Sequence, residues 1–380
     1  MDAVIEAGGK KVVQPVLIVS EHTIEEYSIL LEHLLMGLAG ESVCAGLICR
    51  PKCDVDSVLS PMVDVFRYPV FDVPFMGRLN RRLLFERLER FKPSVLHCLC
   101  ESKAGFTRQL ARQMNIPYVI SVNSLHKRWG MLSLSTQRCA RILVPAGTIA
   151  TNLQNLYPRF LGRIKQVNPG TFATDASECF LDPGRLASMV MAYPMNKAEH
   201  FEKLFRAVRH LVIDGNEFMF VITGSGSQER QLRKLVNGLG LMDVVVIVPR
   251  LAAWRSILAA GDIFVRPQSS DSFDPTLLEA MSVGAAVAAC KGGVDDLIMD
   301  GQTAVVFDPN DELSIYNILQ RLLNQRDYAR QVALQAQQYL RENHSVSKMI
   351  ADILQVYYDA QRWYLSDAAV TVPGGSGPTS

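Results

Sequence analysis

The stretch DSFDPTLLEAMSVGAAVAACKGG, residues 271–293, decides the fold class because it joins a predicted helix to a predicted strand. Asp274 is a favourable N-cap and Pro275 a favourable first helical residue, so a helix is predicted from Pro275. The run AAVAAC (285–290) is typical of a buried strand. A helix followed at once by a buried strand is half of a βαβ unit, which indicates a parallel sheet.

The rest of the chain repeats this alternation. Further strands are predicted at 15–20, 42–49, 94–100, 117–123, 140–146, 187–193, 218–224, 244–248, 262–267 and 303–308, with helices between them, the first at 25–38. The segment 166–185 is rich in Pro, Gly and Asp and lacks periodicity, so it marks a boundary. The sequence predicts two doubly wound, Rossmann-like α/β domains, followed by one more helix and a disordered tail; the predicted ranges are 1–175, 176–346, 347–366 and 367–380.

Composition excludes several classes of protein. The 380 residues are 48% hydrophobic and 20% charged, with a formal net charge of +1, so nothing in the overall charge favours a nucleic-acid partner. The N-terminus lacks a signal-peptide core, and no apolar run reaches the length of a membrane span. We therefore expect a cytoplasmic protein, either free or bound peripherally at the inner face of a membrane.

The stretch GRLNRRLLFERLERFKP (77–93) is basic and amphipathic. It fits a helix on a membrane surface, or a helix packed on the N-terminal sheet with a solvated basic face. The second interpretation is favoured, and a peripheral membrane contact through 77–93 stays open. The HCLC sequence at 97–100 has no partner pair with zinc-ligand spacing, so no metal is expected.

Candidate site residues follow the predicted strands, where ligands bind in open parallel sheets. The first amides of the helix at Pro275 lack intrahelical acceptors and attract anions, especially phosphate. Glu279 lies about one turn further on, where its carboxylate can accept two hydrogen bonds from a vicinal diol. Asp271 lies outside the helix and can reach another hydroxyl group. The alternative is that Asp271 and Asp274 are solvated loop acids and that Glu279 faces water.

The residues at 271–289 and 292–304 resemble a known family. D-S-F-D-P-T-L-L-E-A-M-S-V-G-A-A-V-A-A, then G-G-V-D-D-L-I-M-D-G-Q-T-A, is similar to the E-x-F-G-x-x-x-x-E-A-M-A-x-G-x-P-V-V-A and G-G-x-x-E-x-x-x-D-G-x-x-G of the retaining, nucleotide-sugar-dependent glycosyltransferases of family four. FVITGSGSQERQLRKLVNGLGL, DIFVRPQSS, KPSVLHCLC and IPYVISVNSL support the resemblance. It implies the GT-B fold, with two Rossmann-like domains facing a cleft, acceptor domain first and donor domain second. It also implies that the last helix packs back on the N-terminal domain.

The resemblance implies roles for individual residues. Glu279 would bind the donor ribose and Asp271 the transferred sugar. The implied donor-binding residues are Lys197, Gly224, Gly226, Arg250, Leu251, Ser272, Phe273, Asp274, Pro275, Thr276 and Leu277. Glu21, His22, His97 and Asn123 are candidates for the acceptor side, although a packed core histidine is the favoured interpretation of His97. Enzymes of this kind need neither a metal ion nor a cofactor beyond the nucleotide-sugar donor.

Several positions depart from the family pattern. Tyr193 stands where the family has a phosphate-binding arginine, and Leu99 where it has a histidine near the donor sugar. Asp274 replaces a glycine and adds negative charge beside the phosphate site. Two functions follow: transfer of a sugar to a glycan or lipid-linked acceptor in envelope polysaccharide or glycolipid synthesis, or a catalytically silent GT-B protein that binds a partner.

Overall fold

The computed structural model describes residues 13–53, 55, 62–69, 76–127, 132–177, 179–249 and 254–370. The chain divides into two units, the first formed by Met1–Gly170 with Val346–Ser380 and the second by Thr171–Ser345. The predicted boundary at 175 lies a few residues beyond this division. From 371 onward, the predicted tail lies outside the described residues.

The first unit is built on a parallel sheet, with seven strands among the described residues. Its strands are β1 (Pro15–Ile18), β2 (Ala45–Cys49), β3 (Val63–Arg67), β4 (Val95–Cys98), β5 (Tyr118–Ser121), β6 (Cys139–Val144) and β7 (Ile164–Gln166). The helices before the boundary are α1 (Glu21–Glu26), α2 (Ser28–Gly40), α3 (Gly77–Phe91), α4 (Ala104–Met114) and α5 (Gly147–Leu156). The strand order is β3-β2-β1-β4-β5-β6-β7, so the order reverses between β1 and β4.

The second unit repeats this architecture with six described strands. They are β8 (Ala187–Ala192), β9 (Phe218–Thr223), β10 (Val245–Val248), β11 (Ile263–Arg266), β12 (Ala286–Ala289) and β13 (Val305–Val306). The helices are α6 (Glu202–Ile213), α7 (Glu229–Gly238), α8 (Trp254–Ala259), α9 (Pro275–Ser282), α10 (Glu312–Asn324) and α11 (Arg326–Asn343). The order β10-β9-β8-β11-β12-β13 reverses between β8 and β11. The predicted doubly wound α/β fold is therefore confirmed.

The structure differs from the sequence-based expectations at three elements. The predicted helix 25–38 is two helices, because α1 ends at Glu26 and α2 begins at Ser28. Strands β3 and β7 were not predicted. Both lie at edges of the first sheet, where the strand is less buried and its apolar run is correspondingly weak.

The last helix, α12 (Val346–Val370), belongs to the first unit. It packs closely on α2, since a Cβ added at Gly37 would lie 2.3 Å from Cγ1 of Ile350. The Tyr357 hydroxyl is 2.7 Å from Nδ1 of His97 on β4. The chain thus returns to the core of its first sheet.

Helix α3 packs on the first unit through Leu84 and Leu88, which are buried, while Arg78 and Arg81 are exposed. This is the arrangement of the favoured interpretation, a packed helix with a solvated basic face. Among the described residues, no helix combines the length and the apolar character needed to cross a membrane.

Candidate functional site

The carboxyl edge of the second sheet carries most of the predicted donor-site residues. Tyr193 follows β8, Gly224 follows β9, and β11 ends at Arg266 before the loop that leads into α9. Strands β8 and β11 are neighbours at the point where the strand order reverses. In doubly wound sheets, such a point is where ligands bind.

The loop after β9 needs its two glycines for close packing against the loop after β8. A Cβ at Gly224 would lie 2.4 Å from the carbonyl oxygen of Tyr193, and one at Gly226 would lie 2.3 Å from the carbonyl of Met195. The Met195 amide donates to the carbonyl of Ser225 at 3.0 Å. These predicted donor-binding glycines therefore also shape the edge of the site.

Helix α9 begins at Pro275, as predicted, and Asp274 is its N-cap. The Asp274 carboxylate accepts hydrogen bonds from the amides of Thr276 and Leu277, both at 3.0 Å. The expectation that these amides are open to an external anion is wrong in this structure, because the protein's own carboxylate already occupies them. Phe273 beside the cap is buried.

The loop before the cap is held by a short hydrogen-bond network. The Ser272 amide donates to Oγ of Ser270, and the Val294 amide donates to the carbonyl of Ser270 at 2.7 Å. A Cβ at Gly293 would lie 2.1 Å from that carbonyl oxygen, so the position requires glycine. Asp271 projects from this loop and is exposed, where a bound sugar could reach it.

Glu279 is completely buried, so the alternative that it faces water is wrong. The Thr171 hydroxyl donates to its Oε1 at 2.6 Å, and Nε of Arg255 lies 3.0 Å from its Oε2. Thr171 is itself fixed, because its amide donates to the carbonyl of His344. That Glu279 binds a ribose stays a prediction; a diol there would exchange with one of these partners.

Arg266 is a site residue that the sequence analysis missed. Its side chain is 2% exposed, and its Nε lies 3.7 Å from Oδ2 of Asp274. Nη2 donates to the carbonyl of Val294 at 3.2 Å, while Nε and Nη1 have no hydrogen-bond partner in the part of the chain that the structure describes. The signal was present, since an arginine at the end of the apolar run DIFVRP is unusual.

Arg266 also acts on the neighbouring phenol. Burial raises the pKa of Tyr193, and the nearby Cys290 and Asp274 act in the same direction. The charge of Arg266 opposes them and lowers it. Tyr193, which takes the place of the family's arginine, thus lies within the electrostatic reach of a guanidinium from the next strand.

Three further residues were predicted to bind the donor. Lys197 is exposed, just before the 3-10 turn Ala198–Phe201. Arg250 and Leu251 lie outside the described residues. In the described part of the chain, no three His, Cys, Asp or Glu side chains are grouped so as to hold a metal ion.

In the first unit, His97 is a core histidine. It is 1% exposed, and its Nε2 lies 2.8 Å from Oγ of Ser121, while Nδ1 pairs with Tyr357. Burial lowers its pKa to about 3, so the ring is neutral at physiological pH. Because both ring nitrogens already have partners, His97 is not available as a general base.

A cavity of ≈ 90 Å³ lies in the first unit at the carboxyl edge of its sheet. Its wall is largely aliphatic and includes Leu30, Leu31 and Leu34 of α2, while His97 and Asn123 add polar groups. Of the four predicted acceptor-side residues, these two line the cavity. Glu21 and His22 lie on α1 instead: His22 is exposed, and Glu21 pairs with Arg50 at 3.1 Å.

Part of the second unit is similar in sequence to known proteins. Residues 188–325 match the family described as Glycosyl transferases group 1. The chain is 23% identical over 333 residues to the sulfoquinovosyl transferase SQD2 of Arabidopsis thaliana, covering 80% of this chain and 63% of that protein. It is 31% identical over 159 residues to a D-inositol 3-phosphate glycosyltransferase of Pseudarthrobacter chlorophenolicus, covering 39% and 36%. The chain thus spans less than two-thirds of each of these relatives.

Solved structures show the same fold. A glycosyltransferase from Rickettsia africae superposes with a TM-score of 0.75 at 13% identity, covering 92% of this chain and 99% of that one. The Anabaena protein HepE in complex with UDP superposes with a TM-score of 0.73 at 14% identity, covering 90% and 99%. The predicted GT-B fold is confirmed by these superpositions, and residues 188–325 match the family described as Glycosyl transferases group 1.

Proposed function

We propose that this protein transfers a sugar from a nucleotide-sugar donor, bound at the carboxyl edge of the second sheet, to an acceptor. The observation that carries the proposal is the arrangement at the β8/β11 switch. A buried guanidinium and a helix N-terminus meet there, inside the range that matches the family. Positive charge and oriented amides are what a departing nucleoside diphosphate requires.

We assign the donor's parts to residues along this edge. The diphosphate lies toward the start of α9 with Lys197 near it, and the transferred sugar lies toward Asp271. The ribose pairs with Glu279 in exchange for Arg255, whose side chain is 39% exposed and can turn to solvent. The reaction is proposed to retain the anomeric configuration and to proceed without a metal ion.

The acceptor is proposed to carry an apolar group, because the cavity of the first unit is mainly aliphatic. A lipid-linked acceptor fits this wall better than a bare glycan, which supports the proposal that the reaction belongs to glycolipid or envelope polysaccharide synthesis. The exposed arginines of α3 would bring the first unit to an anionic membrane, where such acceptors reside.

The test is a panel of nucleotide sugars, beginning with UDP-glucose because UDP occupies the similar HepE structure. Donor hydrolysis and transfer are followed by release of nucleoside diphosphate, and proton NMR of the product reports the anomeric configuration. Parallel reactions with a chelator, then with added magnesium or manganese, test metal independence. Loss of turnover in chelator with recovery on metal addition would contradict that part of the proposal.

The same panel separates transfer from the second candidate, a catalytically silent GT-B protein. The relatives that match are named as transferases, which does not favour the silent protein. If no donor is turned over and no nucleoside diphosphate raises the melting temperature of the folded protein, sugar transfer is refuted.

A further inference from the structure

Arg266 ends β11 at the switch point with an incomplete set of partners. It is 2% exposed, yet among the described residues its Nε and Nη1 find no hydrogen-bond acceptor, while Nη2 donates to the carbonyl of Val294. A guanidinium taken out of water is costly unless its donors are paired. Unpaired donors at a ligand-binding edge therefore point to an anion that this arginine is placed to meet.

The anion nearest to Arg266 belongs to the protein. Oδ2 of Asp274 lies 3.7 Å from Nε of Arg266, while Oδ1 takes the amides of Thr276 and Leu277. One carboxylate therefore bridges the buried guanidinium and the start of α9. These are the two kinds of group that bind a phosphate at a helix N-terminus.

We propose that Arg266 and the first amides of α9 form the seat of a donor phosphate, and that Asp274 is an internal carboxylate that fills this seat and gives it up when a diphosphate binds. The proposal rests on the proposed function, which places the donor at this edge. Asp274 then sets how tightly the protein holds a diphosphate.

The position of Arg266 explains how the site manages with Tyr193 in place of an arginine. Strands β8 and β11 are adjacent, so a guanidinium at the end of either strand reaches the same switch point. Arg266 restores the missing positive charge, and Asp274 neutralises it while no ligand is bound. Removing the Asp274 charge should leave the seat with an excess of positive charge.

The test compares binding of inorganic pyrophosphate and of UDP to the full chain by isothermal titration calorimetry. Asp274→Asn keeps a helix cap but removes the charge, and Asp274→Gly also releases the two amides. Both variants should bind pyrophosphate about tenfold or more tightly than the unmodified protein, as expected when a like charge beside an anion is removed. The matched control is Asp311→Gly: Asp311 caps α10 by accepting from Leu313 at 2.9 Å, and its loss should leave pyrophosphate affinity unchanged.

A second variant tests the arginine. Arg266→Lys in the Asp274→Gly background keeps the charge but loses the planar fork, so the gain in pyrophosphate affinity should largely disappear. If circular dichroism shows that this double variant does not fold, the proposal is judged by the pyrophosphate affinity of Asp274→Asn against that of the unmodified protein.

The outcomes are distinct. If the two Asp274 variants bind UDP and pyrophosphate as tightly as the unmodified protein does, Asp274 does not fill the seat. Nucleotide binding itself would then still stand. Tighter pyrophosphate binding in the variants, without any gain in UDP affinity, supports the seat and refutes UDP as the nucleotide of the donor. No anion binding by any folded variant refutes both.

Discussion

Replacing Glu279 by glutamine should destabilise the second unit, because the carboxylate is a structural partner as well as a predicted donor ligand. Its Oε1 accepts from the Thr171 hydroxyl at 2.6 Å, and its Oε2 faces Nε of Arg255 at 3.0 Å. Glutamine keeps the shape and can still accept from Thr171 through its carbonyl oxygen. Its NH₂ group then faces the Nε–H of Arg255, so that two donors oppose each other.

The size of the effect follows from the burial of each partner. A buried hydrogen bond to a charged group contributes roughly 1.5–3 kcal/mol, and a neutral one roughly 1 kcal/mol. The Arg255 contact adds less than about 1 kcal/mol, because that side chain is more than a third exposed and water screens it. We expect Glu279→Gln to lower the unfolding free energy of the second unit by about 1–3 kcal/mol. For a unit of this size, that is a fall of roughly 2–4 °C in melting temperature per kcal/mol.

Differential scanning calorimetry of a double-mutant cycle checks this reasoning. Thr171→Val leaves a buried carboxylate oxygen without its donor and should cost about 1–3 kcal/mol. Arg255→Gln should cost less. Glu279→Gln combined with Thr171→Val should fall short of the sum of the two single effects, because both act on the same hydrogen bond: glutamine makes it a weaker, neutral bond and valine removes it. Additive effects, or an unchanged melting temperature in Glu279→Gln, would show that the carboxylate does not hold Thr171. Calorimetric titration with UDP then tests the ribose contact, for which we expect a loss of about 1–3 kcal/mol.

Three further predictions concern other parts of the chain. Burial lowers the pKa of His97 to about 3, so the folded state keeps the imidazole neutral. The contribution of His97 to the unfolding free energy is therefore fully present above its unfolded pKa of about 6.5, and it is lost as the pH falls toward 3. Urea unfolding should show a slope approaching 1.4 kcal/mol per pH unit from His97 on the acid side, which His97→Asn removes. Gly226→Ala forces a Cβ to 2.3 Å from backbone atoms of Met195 and should cost about 1–3 kcal/mol in thermal unfolding. Gly238→Ala, whose Cβ would meet no atom of the described residues within 4 Å, should be neutral or stabilising. Arg78→Gln combined with Arg81→Gln should reduce cosedimentation with anionic lipid vesicles and leave that with neutral vesicles unchanged; equal cosedimentation would remove α3 as a membrane contact.

The repeated fold was predictable because its signals are local. Inner strands such as β1 and β12 are fully buried. A parallel strand that is covered on both faces has a continuous run of apolar residues in the sequence. The edge strand β3 has a single buried residue, Phe66, among half-buried and exposed ones, so its apolar run is too weak to stand out. The first residue of helix α9 was predicted correctly, since a capping aspartate followed by proline is a contiguous signal.

The contacts within the site were not predictable, because they join distant parts of the chain. Thr171 and Glu279 are 108 positions apart, and His97 and Tyr357 are 260 positions apart. No periodicity or spacing reports such pairs. From the sequence alone, Glu279 is therefore expected to be a solvent-facing acid or a diol ligand, whereas in the structure its carboxylate already contacts Thr171 and Arg255.

Substitutions at a sheet edge have to be judged by the charge that the whole edge presents. Compared with the family pattern one position at a time, Tyr193 removes a positive charge and Asp274 adds a negative one. Both changes suggest a weakened phosphate site. The folded chain shows that the two changes are connected through Arg266, which supplies a guanidinium from the adjacent strand and lies 3.7 Å from the added carboxylate. An arginine buried at this point would be destabilising without a counter-charge, and Asp274 would be an unfavourable neighbour for a phosphate without a cation to hold it. Each residue thus offsets the cost of the other, and under the proposed function the pair would keep the charge that a diphosphate needs within reach of the switch point.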